Sequence, residues 1–222
     1  MNILAIETAT SVAAIAISSD EGTEEVEASR DMHHVETLVP CIQDHLRQRS
    51  WTMRDLDLIV VDIGPGLFTG LRVGVSAARS FAAALDCAIV GVSSLEVLAR
   101  QRRQDEDCWS VIDARRGEVF AQHFLGDQAV SDPLVLTPEA LGQLAGDQTV
   151  LIGDGAQRYR DVFASMGLVV NEDVVTPSPA CAIELIKARQ LTTGQDLRSI
   201  VPMYLRDPDA VANFHVLDRF KS

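Results

Sequence analysis

Lysine is nearly missing from this chain. Only Lys187 and Lys221 occur among 222 residues, and every other cationic side chain outside histidine is arginine. A phosphate loop of the GxxxxGK[ST] kind needs a lysine in its glycine-rich turn, and no lysine lies near either glycine-rich stretch here. Paired cysteines are also absent. Cys41, Cys87, Cys108 and Cys181 are widely spaced, with no CxxC pair, and nothing at the start reads as a signal peptide, so the thiols are expected to be reduced and mostly buried. No apolar run reaches the ~18 residues a membrane span requires. The longest, from Val73 to Val92, is interrupted by Arg79 and Asp86. Positive charge is in deficit, giving a net charge of −13. An acidic surface repels phosphate backbones, so tight nucleic-acid binding by this chain alone is not expected. The expectation is a soluble cytoplasmic protein with no membrane association.

What is present is a core. Hydrophobic residues make up 47%, which is enough to fold most of the length. Apolar runs at Ile3 to Glu7 and Val12 to Ser18 read as strands, and Thr23 to Ser29 as a more exposed third. His33 to Arg49 follows helical spacing, with Val35, Leu38, Val39, Ile42 and Leu46 on one side and Pro40 inside. Leu56 to Ile63 reads as a strand buried on both faces. Thr69 is expected to cap a helix running to Leu85. Ala88 to Val92 is a strand, and Ser93 or Ser94 opens a short helix to about Arg103. The second half repeats this order. Strands are expected at Trp109 to Asp113, Glu118 to Leu125 and Ala129 to Leu136, then a helix capped by Thr137. A strand at Thr149 to Ile152, a helix at Ala156 to Met166, a strand at Leu168 to Val170 and a helix opened by Ser178 complete it.

The order βββαβαβα therefore occurs twice, a duplication of elements rather than of letters. Two such units facing across a cleft describe an α/β fold of two ribonuclease H-like lobes, as in actin, hexokinase and the Hsp70 ATPase domain. The polar run from Arg100 to Asp107 marks the boundary. The expected units are 1–104, a smaller lobe at 105–195, and a C-terminal segment, 196–222, packing back on both.

Three motifs bear on chemistry. In Gly64-Pro65-Gly66-Leu67-Phe68-Thr69-Gly70, a glycine-rich loop enters a helix, a place whose free N–H groups suit an anion. The other reading is that the glycines only permit a tight turn. Gly153 and Gly155 form a second such stretch, so Gly64, Gly66, Gly153 and Gly155 are candidates for weak ATP or ADP contact. In the helix from Gly70 to Leu85, the polar residues Arg72, Ser76, Arg79 and Ser80 form one narrow stripe. The apolar remainder is about twice the roughly 100° that one sheet covers. Gly70, Gly74, Ala78 and Ala82 align one turn apart, which allows another backbone to approach. Either the second lobe covers the surplus or another polypeptide does. Histidines His33, His34 and His45 cannot meet at one metal, since neighbours on a helix diverge by about 100° and His45 lies about 16 Å along the axis from His34. Asp113-Ala114-Arg115-Arg116-Gly117-Glu118 reads as a salt-bridged hairpin turn.

Taken together these residues resemble the TsaB (YeaZ) family. The likeness lies in ILAIETAT at the start, His34, Glu36, Leu38 and Pro40, GPGLFTGLRVG, DARRGEVF, and Pro202 to Arg206 followed by Asp209 and Ala210. It is close over residues 1–120 and weak between 125 and 195, and Leu67 replaces the family's usual serine. The catalytic relative, TsaD, carries a metal-binding His-x-x-x-His after the strand that follows the second helix. Those ligand positions fall here on Ser94 and Leu98, and a leucine has no lone pair to offer. The resemblance implies a non-catalytic scaffold that pairs with TsaD through the first two helices. It further implies an ATPase subunit, TsaE, and tRNA as the substrate of the whole complex during threonylcarbamoyladenosine formation. The interface residues it selects are His34, Leu38, Ile42, Gly70, Leu71, Val73, Gly74, Ala77, Ala78 and Phe81. A self-complementary patch on the same helices is compatible with a homodimer when the chain is alone, and the sequence does not decide between homodimer and monomer. No catalytic residue, metal or firm cofactor is assigned. The alternative is an ATP-dependent phosphotransferase of the same fold using the inter-lobe cleft, although the first turn, Glu7 to Ser11, lacks the expected glycine. A peptidase reading lacks HExxH.

Overall fold

The computed structural model describes residues 1–30, 34–102, 106–146, 149–191 and 193–206; of His34 and Val35 it describes the backbone alone. The first sheet takes strands β1 (Ile3–Glu7), β2 (Val12–Ser19), β3 (Gly22–Arg30), β4 (Leu58–Gly64) and β5 (Ala88–Ser93), in the order β3-β2-β1-β4-β5. Hairpins join β1, β2 and β3 antiparallel, while β1, β4 and β5 run parallel through helical crossovers. Helices α1 (His34–Gln48) and α2 (Phe68–Leu85) make the crossovers, and α3 (Ser94–Arg100) follows β5.

The second sheet repeats this plan. Strands β6 (Asp107–Arg115), β7 (Glu118–Leu125), β8 (Gln128–Ala129), β9 (Leu134–Leu136), β10 (Val150–Ile152) and β11 (Val169–Val170) give the order β11-β10-β6-β7-β8, with β9 also on β7. Helices α4 (Pro138–Leu144), α5 (Asp154–Arg158), α6 (Arg160–Ser165) and α7 (Pro179–Ala188) complete it.

Strands β1, β2 and β4 alternate between two cores. Leu4, Ile6, Ile15, Ile17, Ile59 and Val61 face α1 and α2, where Leu38, Ile42, Leu46, Val75 and Ala78 meet them. Ile3, Ala5, Ala16, Leu58 and Val60 face the other way, onto Ala182, Ile183, Leu185 and Ile186 of α7. Burying each such aliphatic contributes about 1.5–3 kcal/mol. The closing helices are exchanged. α7 comes from the second half but covers the first sheet, whereas Leu95, Leu98 and Ala99 of α3 pack on Cys108, Ile112, Phe120 and Phe124 of the second. Five layers result, and the middle one interlocks the two halves.

Local chemistry corrects several expected elements. α2 starts at Phe68, with Leu67 at the N-cap and no side-chain cap, so Thr69 lies in its first turn. Ser93 does cap α3, accepting from Leu95 N–H. α3 ends at Arg100 rather than about Arg103, which lies outside the described residues. The single strand expected over Ala129 to Leu136 is two short ones. Between them Ser131 bonds to β7 through its side chain and carbonyl, from His123 N–H and Gln122 Nε2, and Pro133 has no N–H for a ladder. The helix expected over Ala156 to Met166 breaks at Tyr159, which leaves helical dihedrals.

The C-terminal segment runs along the far edge of β5 and past β4. Gln195 N–H bonds to Ile89 O, Ile200 enters the first core, and Met203 N–H bonds to Ile63 O. Residues 207–222, with Asp209 and Ala210, lie outside the described residues. Among the described residues, no helix is long and apolar enough to cross a membrane.

Candidate functional site

In this topology the C-terminal ends of the parallel strands point at the cleft, where ligands of open α/β sheets bind. In the first lobe those ends carry Glu7 and Asp62, both 2% exposed. Glu7 Oε1 accepts from Ala9 N–H at 2.7 Å. Asp62 Oδ1 accepts from Gly64 N–H at 2.7 Å and from the Ser94 hydroxyl at 2.6 Å. Asp62 Oδ2 is buried with no donor beyond Glu7. Burial, then the Asp62 charge, drives the Glu7 carboxyl well above the usual carboxylate range, and burial also raises Asp62. A proton on Glu7 would give Asp62 Oδ2 a donor and leave the pair with a single negative charge.

The second lobe places Asp113 and Asp154 at the matching strand ends. Asp154 Oδ1 accepts from Asp113 N–H at 3.0 Å, and burial raises its carboxyl to about 6. Asp113, 5% exposed, is bridged by Arg115 at 3.1 Å and Arg158 at 3.5 Å. Glu118 pairs with Arg206 of the C-terminal segment at 2.8 Å, so the salt-bridged turn is present but its partners are shared among three elements.

The glycine candidates for nucleotide contact serve packing. A Cβ on Gly66 would lie 2.3 Å from Ala9 O, on Gly153 2.2 Å from Val111 O, on Gly155 2.7 Å from Ile112 C, and on Gly64 2.9 Å from Leu71 Cδ1. The loop's Leu67 N–H is bonded to Ala9 O at 2.7 Å. Each of the four glycines thus sits where a Cβ would collide with the chain itself. Ser94 and Leu98 are both fully buried, one on Asp62 and the other in the second-lobe core. Among the described residues no group of three His, Cys, Asp or Glu is placed to hold a metal ion.

Surface remains between α1 and α2. Leu38, 1% exposed, forms the floor of a groove of about 500 Å³. Val39 lines one side, while Phe68, Thr69, Arg72, Val73, Ser76 and Ala77 line the other. Val73 and Ala77 are half-buried, and Val39 is 37% exposed. The expected interface splits here. Val73, Ala77 and Phe81 keep surface, but Ile42, Gly70, Leu71, Gly74 and Ala78 are buried against the chain's own sheet. A Cβ on Gly74 would sit 2.2 Å from Thr8 Oγ1, which donates to Gly70 O at 2.9 Å. The stepped small residues thus let α2 sink onto β1 and β4, which uses most of the apolar surplus. The side chain of His34 lies outside the described residues. Sequence reasoning passed over Glu7 and Asp62, although each is a lone carboxylate closing an apolar run. It met Tyr204 only within a family-like stretch and gave it no role, and the structure sets its ring 5.0 Å from that of Phe68.

Two interlocked lobes with closed strand ends define the class, an α/β protein of the actin and hexokinase type. Comparisons with known proteins agree and go further. The family model for TsaD, tRNA N6-adenosine threonylcarbamoyltransferase, matches residues 24–141. The tRNA threonylcarbamoyladenosine biosynthesis protein TsaB of Escherichia coli is 30% identical, covering 93% of this chain and 95% of the relative. Its Bacillus subtilis namesake is 32% identical over 96% and 98%. YeaZ from Pseudomonas aeruginosa superposes with a TM-score of 0.77 at 21% identity, covering 91% of this chain and all of the other, a likeness of fold. The chain belongs to the TsaB family, and with it to tRNA threonylcarbamoyladenosine biosynthesis.

Proposed function

We propose that this chain is a non-catalytic partner subunit in threonylcarbamoyladenosine formation on tRNA, docking a TsaD-type catalytic subunit in the α1–α2 groove. The observation that carries the reading is the groove itself, apolar, open and floored by Leu38 of the first lobe's core. A TsaD-type model matches the stretch containing α1 and α2, so the partner would present a similar helix pair. Two such faces pack with matched curvature, and a second copy of this chain could take the same place in isolation. The absence of catalysis is supported by chemistry at the strand ends. Glu7 and Asp62 are both buried at the strand ends, Ser94 and Leu98, which the resemblance sets at the relative's metal-ligand positions, are buried in the chain's own core, and the glycines of both loops lie against its backbone or side chains. In this reading the chain carries no cofactor. A TsaE-type ATPase joins the assembly, and the tRNA backbone is held by other subunits, since a chain of net charge −13 repels it.

Calorimetric titration of the chain with a TsaD-type subunit tests the docking. Val39→Asp and Ser76→Glu place charges on the groove walls at exposed positions. Each is expected to weaken binding about 100-fold, the cost of an unpaired charge in a desolvated contact, with the unfolding temperature unchanged. Binding within threefold of the natural chain for both folded variants would overturn the reading.

A further inference from the structure

The lip of the groove carries a second feature. Arg72 projects from α2 with its guanidinium carbon 3.8 Å from the centre of the Phe68 ring. Its Nε donates to the Tyr204 hydroxyl at 3.1 Å, and Tyr204 comes from the C-terminal segment, 132 positions away in sequence. The Phe68 and Tyr204 rings are tilted by 32°. One guanidinium is therefore held by a stack beneath and a hydrogen bond at its side. Among the described residues no acceptor in the chain takes its terminal nitrogens, and Arg72 is exposed.

We infer that Arg72 is the specificity element of the groove, and that the docked TsaD-type subunit presents a carboxylate to it beside an apolar anchor. The inference rests on the docking reading above. A planar guanidinium offers a two-pronged donor set that matches a carboxylate, and the stack and the Tyr204 bond fix its plane before any partner arrives. Most of the rotamer freedom such a contact costs is thus already lost in the free chain. Charge selects the ligand. Of the groove-lining residues Arg72 alone is charged, in a chain of net charge −13. An isolated cation on an apolar rim fits one acidic side chain, whereas a nucleic-acid backbone calls for several cations. Tyr204 is a positioning residue, and through it the C-terminal segment belongs to the docking site.

Calorimetry with the TsaD-type subunit at low and high salt, using Arg72→Glu, Arg72→Gln, Arg72→Lys and Tyr204→Phe, separates the possibilities. Arg72→Glu is expected to weaken binding roughly 100-fold and Arg72→Gln and Arg72→Lys roughly tenfold, because neither glutamine nor an ammonium reproduces the charged fork. Tyr204→Phe should cost about threefold, with the salt dependence kept, and Arg72→Gln should lose most of that dependence. If Val39→Asp abolishes docking while Arg72→Glu binds within threefold and keeps its salt dependence, the groove stands and the role of Arg72 is wrong. If neither variant affects docking, the docking reading fails as well. Binding of tRNA alone weakened by Arg72→Glu, with docking unchanged, would replace the inference with an RNA contact.

Discussion

Glu7 and Asp113 hold the same place in the two halves, the end of the first central strand, yet their buried charge is handled differently. In the first lobe, among the described residues, no ion pair reaches Glu7 or Asp62, and a proton shared between them would reconcile the two carboxylates. In the second, Arg115 and Arg158, both about half exposed, bring positive charge to Asp113. Desolvation of a carboxylate must be offset, and proton or arginine serves equally in this topology. In both lobes the carboxylates at the strand ends are engaged by groups of the chain itself.

The loops sharpen the contrast most. Gly74 leans on Thr8 with no room for a Cβ, so Gly74→Ala is expected to destabilise the chain by about 3 kcal/mol in denaturant unfolding. Gly117 in the second-lobe turn has open space at its Cβ and a φ of 79°, and Gly117→Ala should cost only about 1 kcal/mol of backbone strain. Equal costs would mean that Gly74 in α2 and Gly117 in the β6–β7 turn are not packed as described. Gly74→Arg is for the same reason a test of folding and not of docking.

Titration gives the next largest effect. Both Glu7 and Asp154 have folded values raised above their unfolded ones, so their contributions are fully present below the ordinary carboxylate range and are lost as pH rises. For Asp154 the loss falls between about pH 4 and about pH 6 and amounts to roughly 3 kcal/mol, and Asp154→Asn should flatten the stability curve in that window. Glu7→Gln can still donate to Asp62 Oδ2, and should flatten the curve at higher pH, where the natural chain loses up to about 1.4 kcal/mol per pH unit per proton released. A Glu7→Gln curve parallel to that of the natural chain would remove the shared proton from the account.

Much of this architecture is legible in the letters. β1, β2, β4 and β5 are apolar runs of strand length separated by turn or helical patterns, and β3 alternates weakly at the exposed edge. The second half is less legible for physical reasons. Ser131 leaves the strand pattern through side-chain bonds, and Ala156, Tyr159 and Phe163 keep one helical face across the break at Tyr159. The width of the apolar face on α2 is visible in sequence, but its depth is not. Small residues at Gly70, Gly74 and Ala78 admit a sheet as readily as a helix, and only tertiary structure decides which. The meeting of Arg72 with Tyr204 has no local spacing to announce it.

Hydrogen–deuterium exchange on the chain, free and saturated with a TsaD-type subunit, tests the docking most directly. New protection is expected in the backbone of α1 around Val39, in α2 from Phe68 to Phe81, and at Tyr204, with the polar cleft between Glu25, Arg30 and Asp173 unchanged. Protection confined to that cleft, with α1 and α2 exchanging as in the free chain, would contradict it.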